Sequence, residues 1–284
     1  MTDWTSPIIE SGRWPAARRH DPVLETDESL GDARAGMRFF LGEMPELIDR
    51  IGAAPVRGRM IAVCNVHMLV SAGRDPALAD AMRGAAFSIC DGQPVAWLLS
   101  LLSGSRVSRI TGPDIFETVL SQGRARIALV GGDEATLARL AERLPAERRR
   151  DVLMLAPGRV EEGDGPSPEI VRALNDFAPR IVFVGLGCPK QEKWMAKAIA
   201  EVPATFLGVG AAFDYGTGEV RRAPKAMQVA GGEWIYRMIQ QPRLARRYFG
   251  TLLPFLGLLA RGLRAAPVWN FRAAVHRHGE DLGV

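Results

Sequence analysis

The stretch RIVFVGLGCPKQEKWMAKAIAE, residues 180–201, contains the transition that decides the fold. Its first part is a short apolar run, typical of a strand that is buried on both faces of a sheet. Gly185 and Gly187 then allow a tight turn, and Pro189 suits the first position of a helix. A helical pattern follows to about residue 201. The stretch therefore predicts one strand–turn–helix unit.

The same unit recurs on both sides of this stretch. Apolar runs predict further strands at 60–66, 86–90, 126–132, 151–157 and 204–210. Helical patterns lie between them at 76–84, 93–103, 112–122, 134–144 and 167–178. Strands that alternate with helices predict an α/β fold, with a mostly parallel sheet and helices on both faces.

Most of the predicted strands end in residues that suit a ligand site. These ends are Asn65, Asp91-Gly92, Gly131-Gly132-Asp133, 185–187 and 208–210. In open α/β sheets, ligands bind in the crevice outside the carboxyl ends of the strands. We therefore expect these loops to share one crevice.

Composition divides the chain into three segments. Residues 1–36 are polar and are expected to form a poorly ordered leader. Residues 37–220 are expected to form an α/β core, and residues 221–284 a basic helical appendage. The formal net charge is +4, but residues 221–284 contain eleven Arg and Lys against three acidic residues. The basic character therefore belongs to the C-terminal quarter, where an anionic partner is expected.

Several classes of protein are disfavoured. The N-terminus has charges and prolines where a signal peptide needs an apolar core. No run of about 18 apolar residues predicts a membrane-spanning helix. Cys64, Cys90 and Cys188 lack the spacing of metal ligands or of a disulfide framework, so no metal site is predicted. Buried free thiols in a reducing cytoplasm are the expectation.

The loop GLGCPKQE (185–192) is a candidate phosphate site, because glycine backbone N–H groups and a helix N-terminus favour negative charge. The alternative is a tight turn with no ligand. Lys190 stands where a dinucleotide fingerprint needs its third glycine, and the loop is not a Walker loop. NAD binding and nucleotide hydrolysis are therefore both disfavoured.

Asp91 comes directly after a predicted strand, and Asp214 lies just beyond another. Asp91 could accept a proton from an attacking hydroxyl, although an Asp-Gly pair is often only a turn. Asp214 could bind a sugar hydroxyl or cap its loop. Thr111 and Asp114 lie near a helix start, where helix capping and ligand binding are the alternatives.

Cations and aromatic residues are concentrated after residue 220. Arg221 and Arg222 could bind diphosphate oxygens or belong to a solvated loop. The segment FGTLLPFLGLLARGLR (249–264) contains an uncharged stretch of 12 residues, too short to span a membrane. It suits a helix that lies in the membrane interface. The alternatives are a packed helix or a contact between copies in a homo-oligomer. Nucleic-acid binding would leave the apolar segment without a role.

Eight stretches occur in a specific order over about residues 40–250. They are Cys64-Asn65, Asp91-Gly92, Arg109-Ile-Thr-Gly, Val130-Gly-Gly, VGLGCPKQEKW (184–194), GVGAAFD (208–214), RRAP (221–224) and GEWIYRMIQQPRLARRY (232–248). In this combination the chain resembles the WecG/TagA/CpsF glycosyltransferase family.

The resemblance implies a Rossmann-like catalytic core over 37–220, and inverting sugar transfer without a metal ion or cofactor. The donor would be a UDP-sugar. The acceptor would be a polyprenyl-diphosphate-linked saccharide of a surface polysaccharide, such as an exopolysaccharide or capsule. The appendage, 221–284, would hold the lipid diphosphate and attach a cytoplasmic, peripheral enzyme to the inner face of the cell membrane.

The resemblance also implies roles for individual residues. Asp91 would be the general base, and Gln191 would be the second catalytic residue. The substrate-binding candidates are Cys64, Asn65, Thr111, Gly112, Gly131, Gly132, Gly187, Lys190, Glu192, Asp214, Arg221, Arg222, Arg237, Arg243 and Arg246. The family usually has Thr where this chain has Cys64, and a thiol is the weaker hydrogen-bonding group.

Two other functions stay open on the sequence alone. Cys64 in place of Thr is compatible with a non-catalytic nucleotide-sugar-binding protein of an envelope assembly. The fold class is compatible with a nicotinamide-dependent oxidoreductase, although the missing glycine fingerprint counts against it.

Overall fold

The computed structural model describes residues 23–26, 34–53, 55–122, 125–210, 212–229 and 231–265. The rest of the predicted leader and the end of the predicted appendage lie outside the described residues. The described part contains one sheet with helices on both of its faces, as the sequence predicted.

Eight strands form the sheet in the order β1-β2-β4-β3-β8-β7-β5-β6. Strand β1 pairs antiparallel with β2, and the other pairs are parallel. In chain order the strands are β1 Val23–Glu25, β2 Arg38–Phe40, β3 Arg59–Cys64, β4 Phe87–Cys90, β5 Ile127–Gly131, β6 Val152–Leu155, β7 Ile181–Gly185 and β8 Thr205–Gly208.

All six predicted strands are present, and two short ones were not predicted. β1 lies inside the segment 1–36, so the expectation of a poorly ordered leader is wrong for Val23–Glu25. Next to it, Thr26 is buried, and its hydroxyl donates to the carbonyl of Arg34 at 2.5 Å. Three-residue strands are too short to show a hydrophobic period, which is why the sequence did not predict them.

Twelve α-helices occur among the described residues. They are α1 Met44–Gly52, α2 Val66–Ala72, α3 Pro76–Gly84, α4 Gln93–Ser103, α5 Gly112–Gln122, α6 Glu134–Arg143, α7 Pro168–Phe177, α8 Lys190–Ala198, α9 Ala212–Thr217, α10 Lys225–Val229, α11 Glu233–Gln240 and α12 Ala245–Ala265. The six helices predicted between the core strands are all present, and α1, α2 and α9 are additional to them.

The core has one apolar cluster on each face of the sheet. Strand β3 shows how successive side chains divide between them, because Met60, Ala62 and Cys64 belong to one cluster and Ile61 and Val63 to the other. All five side chains are buried. A strand that is apolar on both faces is typical of the centre of a parallel sheet covered by helices.

The C-terminal part folds back onto the core. After the short helices α10 and α11, the longer helix α12 packs against α2 and α4. The basic helical appendage was therefore predicted correctly as far as Ala265. No helix in the described part of the chain is both long and apolar enough to cross a membrane.

Gly131 is required by the close approach of two strand ends. Its φ is +141°, and an added Cβ would meet backbone atoms of Gly185 at 2.8–2.9 Å. Gly131 and Gly185 are register partners of the parallel strands β5 and β7. A glycine at position 131 therefore allows the carboxyl ends of β5 and β7 to pack closely together.

We expect Gly131→Ala to lower the free energy of unfolding by about 2–4 kcal/mol, because it adds a steric clash to backbone strain. Urea denaturation measures this loss. The matched control is Gly84→Ala in α3, where an added Cβ meets nothing within 4 Å. The control should be neutral or more stable by up to about 1 kcal/mol. Equal stabilities of the two variants would contradict this role of Gly131.

Candidate active site

A cavity of about 660 Å³ opens at the carboxyl ends of the central strands. Its floor is formed by the residues that follow β3, β4, β7 and β8. Helices α11 and α12 supply the opposite wall. Lining residues from the strand ends include Asn65, Asp91, Gly185, Gly187, Gly208 and Gly210. The loops of four strands therefore share one crevice.

Asp91 lies at this floor, directly after β4. Its backbone N–H donates to the carbonyl of Cys64 at 2.9 Å, which ties the loop to the end of β3. Its carboxylate receives no hydrogen bond from the described residues. The backbone hydrogen bond fixes the position of Asp91, while its carboxylate stays available to a ligand.

Burial and the nearby charge of Glu233 together raise the pKa of Asp91 to about 6. Arg109 and Arg237 act in the opposite direction. A carboxyl with this pKa is mostly ionised at neutral pH, yet it is a stronger base than an ordinary aspartate. The site therefore holds a carboxylate suited to accepting a proton.

An ion-pair network joins the core to α11 beside Asp91. Arg109 Nη1 lies 2.8 Å from Glu233 Oε2, and Arg222 Nη2 lies 3.7 Å from Glu233 Oε1. Arg222 also pairs with Asp114, which accepts from the hydroxyl of Thr111. Arg109 and Glu233 are 16% and 18% exposed, so solvent screens their pair only partly. The network fixes the start of α11 over the cavity.

Gln191 reaches the cavity from the first turn of α8. Its Oε1 accepts from the backbone N–H of Gly187 at 3.1 Å, and its Nε2 donates to Glu192 Oε1 at 2.7 Å. Glu192 is fully buried, and burial raises its pKa to about 7. Gln191 therefore borders the cavity, whereas Glu192 lies beneath it.

Asp214 and Tyr215 line the side of the cavity below α11. Burial raises the pKa of Asp214, and the charge of Arg237 lowers it again in part. The guanidinium of Arg237 lies over the ring of Tyr215, 5.8 Å from its centroid. This wall offers a carboxylate, an aromatic ring and a cation to a polar ligand.

His67 and Arg247 line the cavity where α12 packs against α2. Burial and the charge of Arg247 lower the pKa of His67 to about 4, so the imidazole is neutral at pH 7. Three buried nitrogens here have no hydrogen-bond partner within the described structure: His67 Nδ1, Arg237 Nε and Arg247 Nε. Buried polar groups normally have partners. The arrangement is suited to an anionic ligand.

The predicted site residues fall into two groups. Those that line the cavity are Asp91, Gln191, Asn65, Thr111, Gly187, Asp214 and Arg237. Those that do not are Cys64, Gly112, Gly131, Gly132, Lys190, Glu192, Arg221, Arg222, Arg243 and Arg246. Asn65 also caps α2, since its side chain accepts from the N–H of Met68 at 3.1 Å.

The residues outside the cavity have other contacts. Lys190 donates to the carbonyl of Val160 at 3.2 Å and so holds the loop after β6. The backbone of Arg221 is bound by Gln240 in α11. Arg243 and Arg246 are exposed. The substrate-binding expectations for these cations therefore have no support from the shape of the cavity.

Sequence reasoning missed several residues that line the cavity. They are His67, Arg109, Glu233, Trp234, Arg247 and Tyr248. Arg109 stood in a motif that was recognised for its threonine and aspartate. Glu233 and Arg237 are four residues apart, which places them on one face of α11. That spacing could have predicted that Glu233 lies beside Arg237. It does not show that this face of α11 covers the core.

The described residues contain no group of three or more His, Cys, Asp or Glu that could hold a metal ion. The functional groups of the cavity are those of its acidic, basic, amide and aromatic side chains.

A comparison with protein families gives one match. Residues 34–267 match the model of the glycosyl transferase WecG/TagA/CpsF family. The chain belongs to this family. It is therefore a glycosyltransferase of polysaccharide biosynthesis, with a nucleotide-sugar donor and a glycan acceptor. Membership confirms the predicted enzyme class, in preference to the binding protein and the oxidoreductase.

We expect Glu233→Gln to lower the pKa of Asp91 below about 6, because a nearby negative charge disfavours ionisation of the carboxyl. Arg109 loses its acidic partner in this variant, which acts in the same direction. The pKa is measured by carbon NMR of aspartate-labelled protein, with the signal assigned by its loss in Asp91→Asn.

Glu46→Gln is the control for this measurement. Glu46 is exposed on α1 and pairs with Arg50 of the same helix. The control should leave the pKa of Asp91 unchanged. A pKa that stays constant or rises in Glu233→Gln would show that Glu233 does not act on Asp91 in this way.

Proposed function

We propose that the protein is an inverting glycosyltransferase in which Asp91 is the general base. The donor is a UDP-sugar, and the acceptor is a polyprenyl-diphosphate-linked saccharide of a surface polysaccharide. The observation that carries the proposal is the carboxylate of Asp91. It lies at the cavity floor, where none of the described residues donates a hydrogen bond to it, and its pKa is raised to about 6.

The reaction needs an acceptor hydroxyl to lose its proton as it attacks the anomeric carbon. A base held in place by backbone contacts avoids the entropic cost of finding the hydroxyl in solution. Attack from the side opposite the leaving nucleotide inverts the anomeric carbon in a single displacement. Asp91 accepts the proton, and the C–O bond to the nucleoside diphosphate breaks as the new one forms.

The leaving diphosphate gains negative charge in the transition state. Arg237 and Arg247 line the cavity, each with an unpartnered Nε among the described residues. Fixed donors aimed at developing charge stabilise it without reorganisation. In this proposal these arginines and the N–H groups of the glycine-rich loop take that role, and no metal ion or cofactor is required.

The mouth of the cavity fits a lipid-linked acceptor. Trp97, Phe249, Leu252 and Leu256 line it, and each of these side chains is 49–62% exposed. Eight of the ten exposed large apolar side chains in the described residues belong to α11 and α12. Large exposed apolar patches mark sites of association. We propose that this surface rests on the inner face of the cell membrane.

We expect Asp91→Asn to lower the rate of sugar transfer at least about 1,000-fold, because the amide cannot act as the base. Binding of the UDP-sugar should change less than about threefold. Transfer is assayed with a panel of UDP-sugars and a short polyprenyl-diphosphate saccharide, and donor binding by calorimetry. Asp80→Asn, at an exposed position of α3, is the control with unchanged activity. Full activity of Asp91→Asn would disprove the base assignment.

We expect the double variant Ile239→Glu/Leu253→Glu to lose at least about 100-fold in affinity for anionic liposomes, since each apolar side chain contributes about 1.5 kcal/mol or more when buried. These side chains are 70% and 75% exposed. Val56→Glu is the control, because Val56 is 95% exposed but lies before β3, at the opposite edge of the sheet.

Co-sedimentation with liposomes measures the effect. Unchanged sedimentation of the double variant would contradict the membrane proposal. If the same variant instead converts an oligomer to a monomer, the surface is a contact between copies of this chain.

A further inference from the structure

Glu192 does not fit the substrate-binding role that the resemblance implied for it. Its side chain is fully buried and does not line the cavity. A carboxylate beneath the floor cannot touch a sugar or a phosphate. Whatever Glu192 contributes must act through a neighbour that does reach the cavity.

That neighbour is Gln191, whose side-chain amide is held at both ends. Gly187 N–H donates to its Oε1 at 3.1 Å, and its Nε2 donates to Glu192 Oε1 at 2.7 Å. The two partners are chemically opposite when Glu192 is ionised, since an N–H only donates and a carboxylate only accepts. Turning the amide by 180° would place donor against donor and acceptor against acceptor. The pair of contacts therefore selects one orientation.

The fold also leaves space for the amide in this orientation. An added Cβ at Gly208 would meet Gln191 Nε2 at 2.7 Å and the side chain of Met195 at 2.9 Å. The amide therefore lies against the carboxyl end of β8. Its second N–H and a second lone pair of Oε1 remain for a ligand in the cavity.

Burial of Glu192 is unfavourable for the fold alone. Its Oε2 has no hydrogen-bond partner of normal geometry among the described residues. The groups beside the carboxylate are the thiols of Cys188, a weak donor that interacts with it, and of Cys64. Replacing a buried charge by an apolar residue of similar volume is often neutral or stabilising. An apolar side chain could fill this space without the free-energy cost of burying a carboxylate. The presence of the carboxylate therefore points to a role in the site.

We infer that Glu192 is a positioning residue, which fixes the Gln191 amide so that one N–H and one carbonyl lone pair face the substrate. The inference rests on the proposed function for its kinetic test, but its structural test needs no substrate.

The kinetic test is a double-mutant cycle with Gln191→Met, Glu192→Met and both together. If Glu192 acts through Gln191, Glu192→Met lowers kcat about 100-fold in the wild type, as a misplaced catalytic group does. In the Gln191→Met background the same change lowers kcat less than about twofold. Equal losses in both backgrounds would overturn the inference. Glu192→Gln should retain kcat within about tenfold, because its amide oxygen still accepts from Gln191.

The structural test is hydrogen exchange of the Gln191 side-chain NH₂ group, followed by NMR and assigned by its loss in Gln191→Met. We expect slow exchange of one proton in the wild type and in Glu192→Gln, and exchange near that of a free amide in Glu192→Met. Free-amide exchange in the wild type would overturn the inference. If the wild-type protein shows no sugar transfer, the proposed function is disproved instead. The exchange rates would still test the role of Glu192.

Discussion

The ion pair between Arg109 and Glu233 is the contact on which the cavity depends. Arg109 belongs to the core and Glu233 begins α11, and their charged atoms lie 2.8 Å apart in a largely buried setting. Removing one partner of such a pair leaves a poorly solvated charge, so the pair resists separation more strongly than an exposed one. It holds α11 over the strand ends, and this turns an open sheet edge into an enclosed site. The aromatic and cationic side chains that follow on α11 reach the cavity because of this contact.

The same pair sets the chemistry of the floor. Glu233 raises the pKa of Asp91, while Arg109 and Arg237 lower it, so this carboxyl responds to charges from both parts of the chain. If a substrate diphosphate pairs with these arginines, as the proposed function requires, their effect on Asp91 weakens and its pKa rises. Binding of the donor would then make the proposed base stronger.

The sequence predicted what depends on local pattern. The strands of the parallel sheet were recognisable as apolar runs, and Asp91, Gln191 and Asp214 were placed correctly at their carboxyl ends. The sequence did not predict what depends on tertiary packing. Nothing in its periodicity shows that α12 packs against α2 and α4, and this contact brings Arg247 beside His67. Two of the cations predicted to bind substrate contact other parts of the fold, because Arg222 pairs with Asp114 and Lys190 donates to the carbonyl of Val160.

The two ends of the cavity differ in polarity, and this difference constrains the substrate. Asp91 and Gln191 lie at the floor, whereas the mouth carries Trp97 and the exposed leucines of α12. A free sugar would leave the apolar side chains of the mouth exposed to water, and a simple lipid would offer no hydroxyl to Asp91. A saccharide attached to a long hydrocarbon chain satisfies both. The polarity gradient thus supports the proposal of an acceptor whose lipid stays at a membrane surface while its sugar extends to Asp91.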